Sequence, residues 1–274
     1  MLPDSPYTCD ICMPGHRAVK ACHRLDESVA MPDRAQTGVH LYGAGYSVAG
    51  KQILSGITLA LTQPRIGIVG RNGSGKTTLL RLMAGLIAPT AGAVQVAGVD
   101  PFTQRRAMLS QIGILFQNPD HQILFPTVAE ELAFGLRQLG QSQADAASAV
   151  RAVLAREGRS HWAGAATHTL SQGQRHYLCL LSVLLMGPQI VLLDEPFAGL
   201  DLPTEARLAR KLAGLAQQII TISHDPAAVA GCDRVIWLEQ GRVQADGPAD
   251  RVLAAFNTEM QRLGDGDADT DIAG

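Results

Sequence analysis

Residues 70–78 read Gly70-Arg71-Asn72-Gly73-Ser74-Gly75-Lys76-Thr77-Thr78. They fit G-x-x-x-x-G-K-[ST], the pattern of a loop that cradles phosphate groups in backbone N–H groups. Ile66-Gly-Ile-Val69 before it is a short apolar β-type run, and Leu79-Leu-Arg-Leu-Met-Ala84 after it is a good helix former. The loop thus sits between a strand and a helix N-terminus, whose dipole favours an anion. Gly70, Gly73 and Gly75 let the backbone approach phosphates without Cβ clashes. Lys76 can reach the β- and γ-phosphates, and the Thr77 hydroxyl can ligate Mg²⁺.

A second motif supplies carboxylates. Ile190-Val-Leu-Leu193 reads as a buried strand ending in Asp194-Glu195-Pro196. Asp194 at a strand end is placed to hold Mg²⁺ through its water shell. Glu195, one residue on, can polarise an attacking water as a general base.

Composition bounds the rest. The 274 residues make one large domain or two small ones, and 46% hydrophobic content suffices for a core. The net charge of −2 leaves no basic footprint for nucleic acid. No apolar run approaches the roughly 18 residues that span a bilayer, and the N-terminus lacks the apolar core of a secretory signal. The expectation is a soluble, cytoplasmic protein that reaches any membrane through a partner. Of five cysteines, Cys179 and Cys232 lie in apolar stretches and read as buried thiols. Cys9-x-x-Cys12 and Cys22, with His16 and His23, could be read as a zinc site. The Cys22-His23 adjacency is poor geometry and no second knuckle follows. Residues 1–37 are therefore expected to be a disordered extension, and Met31 is a candidate natural start. The tail from Asp265 to Asp271 lacks the turn glycine and final Glu of a calcium loop and reads as a solvated acidic tail.

Along the chain, residues 39–61 read as strands with a turn at Ala49-Gly50. Further strands are expected at 91–98, 112–116, 190–193, 218–222, 234–238 and 242–245, with a hairpin turn at Glu239-Gln-Gly241. Helices are expected over 127–157 with a break near Gly140, then at 172–186, 203–216 and 225–230. Alternating strands and helices imply an α/β fold with a parallel sheet. The helical block at about 118–187 interrupts that alternation as an inserted subdomain. The domain is expected to span 38–250, with a helix end and the acidic tail over 251–274.

Four further elements fall between and after the two phosphate motifs: Gln117; Leu170-Ser-Gln-Gly-Gln174; Ala198-Gly-Leu-Asp201; and His224 in Ile-Ser-His-Asp. In this order they resemble the ATP-binding cassette family of transporter ATPases, over residues 39–250. The resemblance implies a P-loop NTPase fold with a RecA-like parallel sheet, an antiparallel β subdomain and an inserted helical subdomain. It implies ATP and Mg²⁺ as ligands. ATP would be held by residues 70–78, Gln117, Ser171, Gly173, Gln174 and Asp201, the anion site at Ser171 and Gly173 serving a nucleotide bound by a partner subunit. Mg²⁺ would be held by Thr77, Gln117 and Asp194. Lys76, Glu195 and His224 would carry hydrolysis, His224 by contacting the γ-phosphate and the attacking water. Tyr46 matches the aromatic that stacks on adenine, with Tyr42 its rival. Gln172 departs from the commoner glycine of the signature.

The stretch Phe116-Gln-Asn-Pro-Asp-His-Gln122, then Phe125-Pro-Thr-Val-Ala-Glu-Glu-Leu-Ala-Phe-Gly135, resembles the energy-coupling factor branch, whose ATPases power uptake of vitamins or of cobalt and nickel. There the segment meets a membrane coupling subunit, and Asp120 and Gln122 match its polar contacts. The implied partners are a second cassette, in a homodimer or heterodimer, a transmembrane coupling subunit and a substrate-binding membrane subunit. The implied location is peripheral, on the cytoplasmic face of the membrane. Features around Ile-Ser-His-Asp favour biotin as cargo over cobalt or nickel. A soluble cassette of DNA repair or translation would instead want a basic patch, a coiled-coil insert or a second cassette.

Overall fold

The antiparallel ribbon at the start of the domain follows from one turn. β1 (Val39–Val48) and β2 (Lys51–Leu61) are joined by Ala49 and Gly50 at φ 48 and 78. Both central residues are left-handed, the twist that suits a two-residue hairpin. β4 (Ala91–Val96) pairs on the other side of β1, giving a three-stranded sheet in the order β2-β1-β4. The computed structural model describes residues 38–265, which lie within one compact unit. The Cys/His cluster of the head, Met31 and most of the acidic tail fall outside the described residues.

The second sheet contains β3 (Arg65–Val69), β5 (Ile112–Leu115), β6 (Ile190–Asp194), β7 (Gln218–Ser223), β8 (Arg234–Glu239) and β9 (Arg242–Gly247). Their order is β5-β6-β7-β3-β8-β9, parallel except for β9. Every residue of β6 is buried, as a parallel strand covered on both faces requires. β9 lies at the edge and reverses through Gln240 and Gly241, both at positive φ.

The helices are α1 (Lys76–Met83), α2 (Arg105–Met108), α3 (Val128–Gln138), α4 (Gln143–Arg156), α5 (Gln172–Leu185), α6 (Leu202–Ala213) and α7 (Ala249–Asp265). One core lies between the two sheets and α1. A second packs α5 and α6 on the opposite face of the large sheet, and a third joins α3, α4 and α5. α5 contributes Cys179, Leu180 and Val183 to the second and Leu178 and Leu181 to the third. That double burial explains its nearly continuous apolar run. α7 lays Val252, Leu253 and Phe256 against β3 and β8.

Two local expectations change. The helix read over 225–230 is a single 3₁₀ turn at Pro226–Val229, capped by the Asp225 carboxylate on the Ala227 N–H at 2.9 Å. Ala230 caps its C-terminus and Gly231, a poor helix former, comes next, so the helix does not continue. β5 stops at Leu115, short of Phe116, because the Phe116 N–H bonds the Gln122 side chain at 3.1 Å and not a neighbouring strand.

Candidate functional site

A cleft of about 720 Å³ opens at the carboxyl ends of β3, β6 and β7. Asn72, Gly73, Gly75, Lys76, Thr77, Thr78, Gln117, Glu195 and His224 line one side of it. Lys51, Gln52, Ile53, Gln240 and Gly241 line the other. Parallel sheets bind ligands at this edge because loops there converge beyond the strands.

The phosphate-type loop is shaped by two different glycine requirements. A Cβ on Gly70 would lie 2.1 Å from the Leu238 carbonyl oxygen, so packing excludes any side chain. Gly75 holds φ 104, a conformation that L side chains rarely adopt, and N-caps α1. Lys76 folds back on the loop, its Nζ donating to Gly70 O at 2.7 Å and Arg71 O at 2.9 Å. Burial holds its ammonium below the usual lysine range, against the opposing pull of Glu195, Asp194 and Glu239.

Two carboxylates stand opposite. Asp194 is buried; burial and then the neighbouring Glu195 push its carboxyl up, while Arg81, Lys76 and the facing Thr77 hydroxyl pull it down. Glu195 is 9% exposed and sits at φ 49, off the normal β6 track. Its Oε2 accepts from Ser223 Oγ at 2.8 Å. Its Oε1 accepts from the His224 backbone N–H at 2.8 Å and meets His224 Nδ1 at 2.9 Å. A carboxylate only accepts, so Nδ1 carries the proton and the other ring nitrogen is left for a ligand. Thr77, Asp194 and Gln117 together offer hydroxyl, carboxylate and amide oxygens, hard donors of the kind Mg²⁺ takes.

The signature residues lie elsewhere. Ser171, Gly173, Gln174 and Asp201 do not line this cleft. Ser171 caps α5: its Oγ accepts the Gln174 N–H at 3.3 Å and its own N–H donates to Gln174 Oε1 at 2.8 Å. The cap uses a lone pair of the hydroxyl and leaves its proton free to donate. Gly173 abuts α6, where a Cβ would stand 2.7 Å from Thr204 Cγ2. Gln172 reaches the turn at Gly199, whose Cβ would lie 3.0 Å from its Nε2. Asp201 is exposed and caps α6 through the Thr204 N–H at 3.0 Å, and that contact with Thr204 holds its carboxyl below the usual range.

Other sequence expectations meet specific surroundings. Tyr46 pairs with Leu54 across the first hairpin and packs on the core between the sheets; it is not in the cleft wall. Tyr42 is exposed and stacks with His40. Gln122 is tied inside the chain, donating to Ile114 O at 3.2 Å while accepting from Phe116 N–H. Asp120 stands 3.4 Å from Arg175 on the first turn of α5, linking the segment after Gln117 to the signature helix. Sequence reasoning missed Ser223 and the far wall at Lys51–Ile53 and Gln240–Gly241. The turn at Glu239-Gln-Gly241 was a signal for the latter: the Gly241 N–H donates to Ser74 O and its carbonyl accepts from Ser55 N–H, both at 2.9 Å.

Residues 54–198 match the family described as ABC transporter. The chain is 51% identical over 214 residues to the biotin transport ATP-binding protein BioM of Rhodobacter capsulatus, covering 78% of this chain and 92% of that one. The chain belongs to the ABC transporter ATPase family. A second BioM, from Rhizobium etli, is 41% identical and covers 80% of this cassette and 97% of its own length. Among solved structures, cbiO1 of Clostridium perfringens, part of the ABC transporter complex cbiONQ, matches with a TM-score of 0.69 at 28% identity. That match covers 82% of this chain and 94% of the other. The cassette therefore binds and hydrolyses ATP on a P-loop NTPase fold, as its motifs imply. Among the described residues no helix is long and apolar enough to cross a membrane.

Proposed function

We propose that this cassette is the ATPase subunit of an energy-coupling factor importer and that its cargo is biotin. The observation that carries the reading is the meeting of Lys76, Gln117, Glu195 and His224 in one cleft. It occurs in a chain 51% identical to a biotin transport ATP-binding protein over 214 residues. Cobalt or nickel is the second cargo class, as the resemblance of residues 116–135 to the energy-coupling factor branch implies. The cargo is selected by a membrane subunit, and the cassette sits peripherally on the cytoplasmic face through a coupling subunit.

Two cassettes face each other head to tail. Lys76 leaves the Gly70 and Arg71 carbonyls for the β- and γ-phosphates of ATP, with Asn72, Ser74 and Thr78 completing the loop. Ser171 and Gly173 of the second cassette close over the same γ-phosphate with the free first-turn N–H groups of α5. Thr77, Asp194 and Gln117 hold Mg²⁺, which neutralises phosphate charge. Glu195 takes the proton of the attacking water, with Ser223 and His224 fixing its carboxylate. Ile53 borders the adenine end. Closing such a pair from 1:99 to 99:1 requires about 5.5 kcal/mol of differential binding. A few charge-assisted hydrogen bonds at roughly 1.5–3 kcal/mol each reach that.

The test is reconstitution with the membrane proteins encoded or purified alongside it. Uptake of labelled biotin should require ATP and vanish with Glu195→Gln. Uptake of Co²⁺ but not biotin would move the cargo to metal, and a cassette that copurifies with no membrane protein would end the importer reading.

A further inference from the structure

A second recess, of about 170 Å³, lies where α4's end, α5 and α6 meet. One wall is Arg159 and Trp162 from the link after α4; another is His176 and Tyr177 of α5; the third is Thr204 and Arg207 of α6, and the signature residues Ser171, Gly173 and Gln174 border it. At 170 Å³ against 720 Å³ for the ATP cleft, it is too small to enclose a nucleotide by itself.

Its chemistry is unusual for an interior gap. His176 is 1% exposed, and its Nε2 has no hydrogen-bond partner. Arg159 Nε is likewise buried and unpartnered. The Arg159 guanidinium is held between two rings, 4.3 Å from the Trp162 centroid and 4.8 Å from that of Tyr177. With its faces stacked, only its in-plane N–H edge remains for a ligand. Arg207 adds a second guanidinium, and among the described residues no carboxylate lines the recess. The nearby Glu157 is already engaged by Lys211 at 2.5 Å and by the Tyr177 hydroxyl. Burial keeps the His176 imidazole below its usual range, so it offers a neutral hydrogen-bonding nitrogen.

We propose that this recess binds a small carboxylate-bearing molecule, its carboxylate on the Arg159 edge and within reach of His176 and Arg207. A flat carboxylate matches a guanidinium fork edge-on. The volume suits a body of one six-membered ring, since cavities of about 150 Å³ hold benzene. Occupancy ties the helical subdomain to α6 beside the Gly173–Thr204 contact. It thereby restrains the signature helix and slows ATP turnover from a recess that shares no residue with the cleft of its own chain but borders Ser171 and Gly173, which on the proposed function meet a second cassette's nucleotide.

The probe is sodium benzoate added to the full chain carrying Trp237→Phe, which leaves Trp162 as its one tryptophan. Chloride holds ionic strength constant, and inorganic phosphate is a separate arm. Benzoate should change Trp162 fluorescence saturably. It should bind at least about tenfold more weakly after Arg207→Gln, a loss equal to one charge-assisted contact. Arg159→Gln should do the same, and Lys76→Ala should leave benzoate binding unchanged. Benzoate should lower kcat for ATP with little change in KM. Arg207 is exposed, so its variant keeps the test open if Arg159→Gln misfolds. The absence of saturable binding, survival of binding in the Arg207 variant, or loss with Lys76→Ala would overturn the site. Phosphate binding more tightly than benzoate would overturn the carboxylate assignment. None of these readouts depends on cargo or membrane partner, so they stand apart from the importer reading.

Discussion

His224 Nδ1 lies 2.9 Å from Glu195 Oε1, and that oxygen also accepts the His224 backbone N–H at 2.8 Å. A single carboxylate oxygen thus holds both ends of the residue, so the two side chains move as one unit. With Ser223 on the other oxygen, both oxygens of Glu195 are held by the chain's own groups.

Glu195→Gln should bind ATP yet hydrolyse it about 10²–10⁴-fold more slowly, the usual range for a lost general base. Size-exclusion chromatography with light scattering should show an ATP-dependent dimer. A variant that stays monomeric at saturating ATP would contradict a sandwich of identical cassettes.

Ser223 is a positioning residue whose Oγ donates to Glu195 Oε2 and accepts the Asp225 N–H at 3.0 Å. Ser223→Ala should lower kcat about tenfold or more, the loss of one hydrogen bond to a charged group, with KM for ATP little changed. Ser223→Thr keeps the hydroxyl and should restore most of the rate. Equal loss in both variants would assign the effect to packing.

Lys76→Ala should abolish productive ATP binding, with turnover down by at least about 10²-fold. Fluorescent-nucleotide binding and phosphate release check both. Normal turnover would remove this loop from the chemistry.

Gly173→Ala should weaken turnover while sparing ATP binding at the chain's own cleft, because the new Cβ would meet Thr204 Cγ2 at 2.7 Å. Thr204→Ser removes that methyl and should recover part of the loss. No recovery would place the defect in the trans contact with nucleotide and not in the α5–α6 fit.

The buried His176 predicts acid sensitivity. Its folded-state pKa is lowered, so the unfolded chain binds the proton more readily. Its contribution is present above the unfolded imidazole value of about 6.5 and is lost as pH falls below it. The melting temperature should drop between about pH 7 and 5, and His176→Gln should flatten that drop. An unchanged profile in the variant would show that other groups govern acid unfolding.

The sequence disclosed whatever its chemistry kept local. Gly70 to Thr78 is a loop, a cap and a ligand set in nine consecutive residues, and the all-apolar run before Asp194 marks a strand buried on both faces. The turns at Ala49-Gly50 and Gln240-Gly241 were legible because each needs left-handed residues. What stayed hidden depends on distant partners. Nothing near Gly241 announces that its amide docks on Ser74, since two sheets must first come together. Gln122 read as a partner contact, but its amide closes the end of β5 six and eight residues upstream. The Glu157, Tyr177 and Lys211 cluster joins three helices separated by 20 and 54 residues along the chain. No periodicity foretells such a meeting.

The two bonds from Lys76 Nζ to Gly70 O and Arg71 O have a thermodynamic sequel. ATP capture is an exchange of ligands around one ammonium, carbonyl oxygens giving way to phosphate oxygens, and only the difference appears in the affinity. The same carbonyls compete for the ammonium once the terminal phosphate has gone, drawing it off the remaining diphosphate. The loop thus carries its own displacing ligand, which favours quick emptying over tight retention.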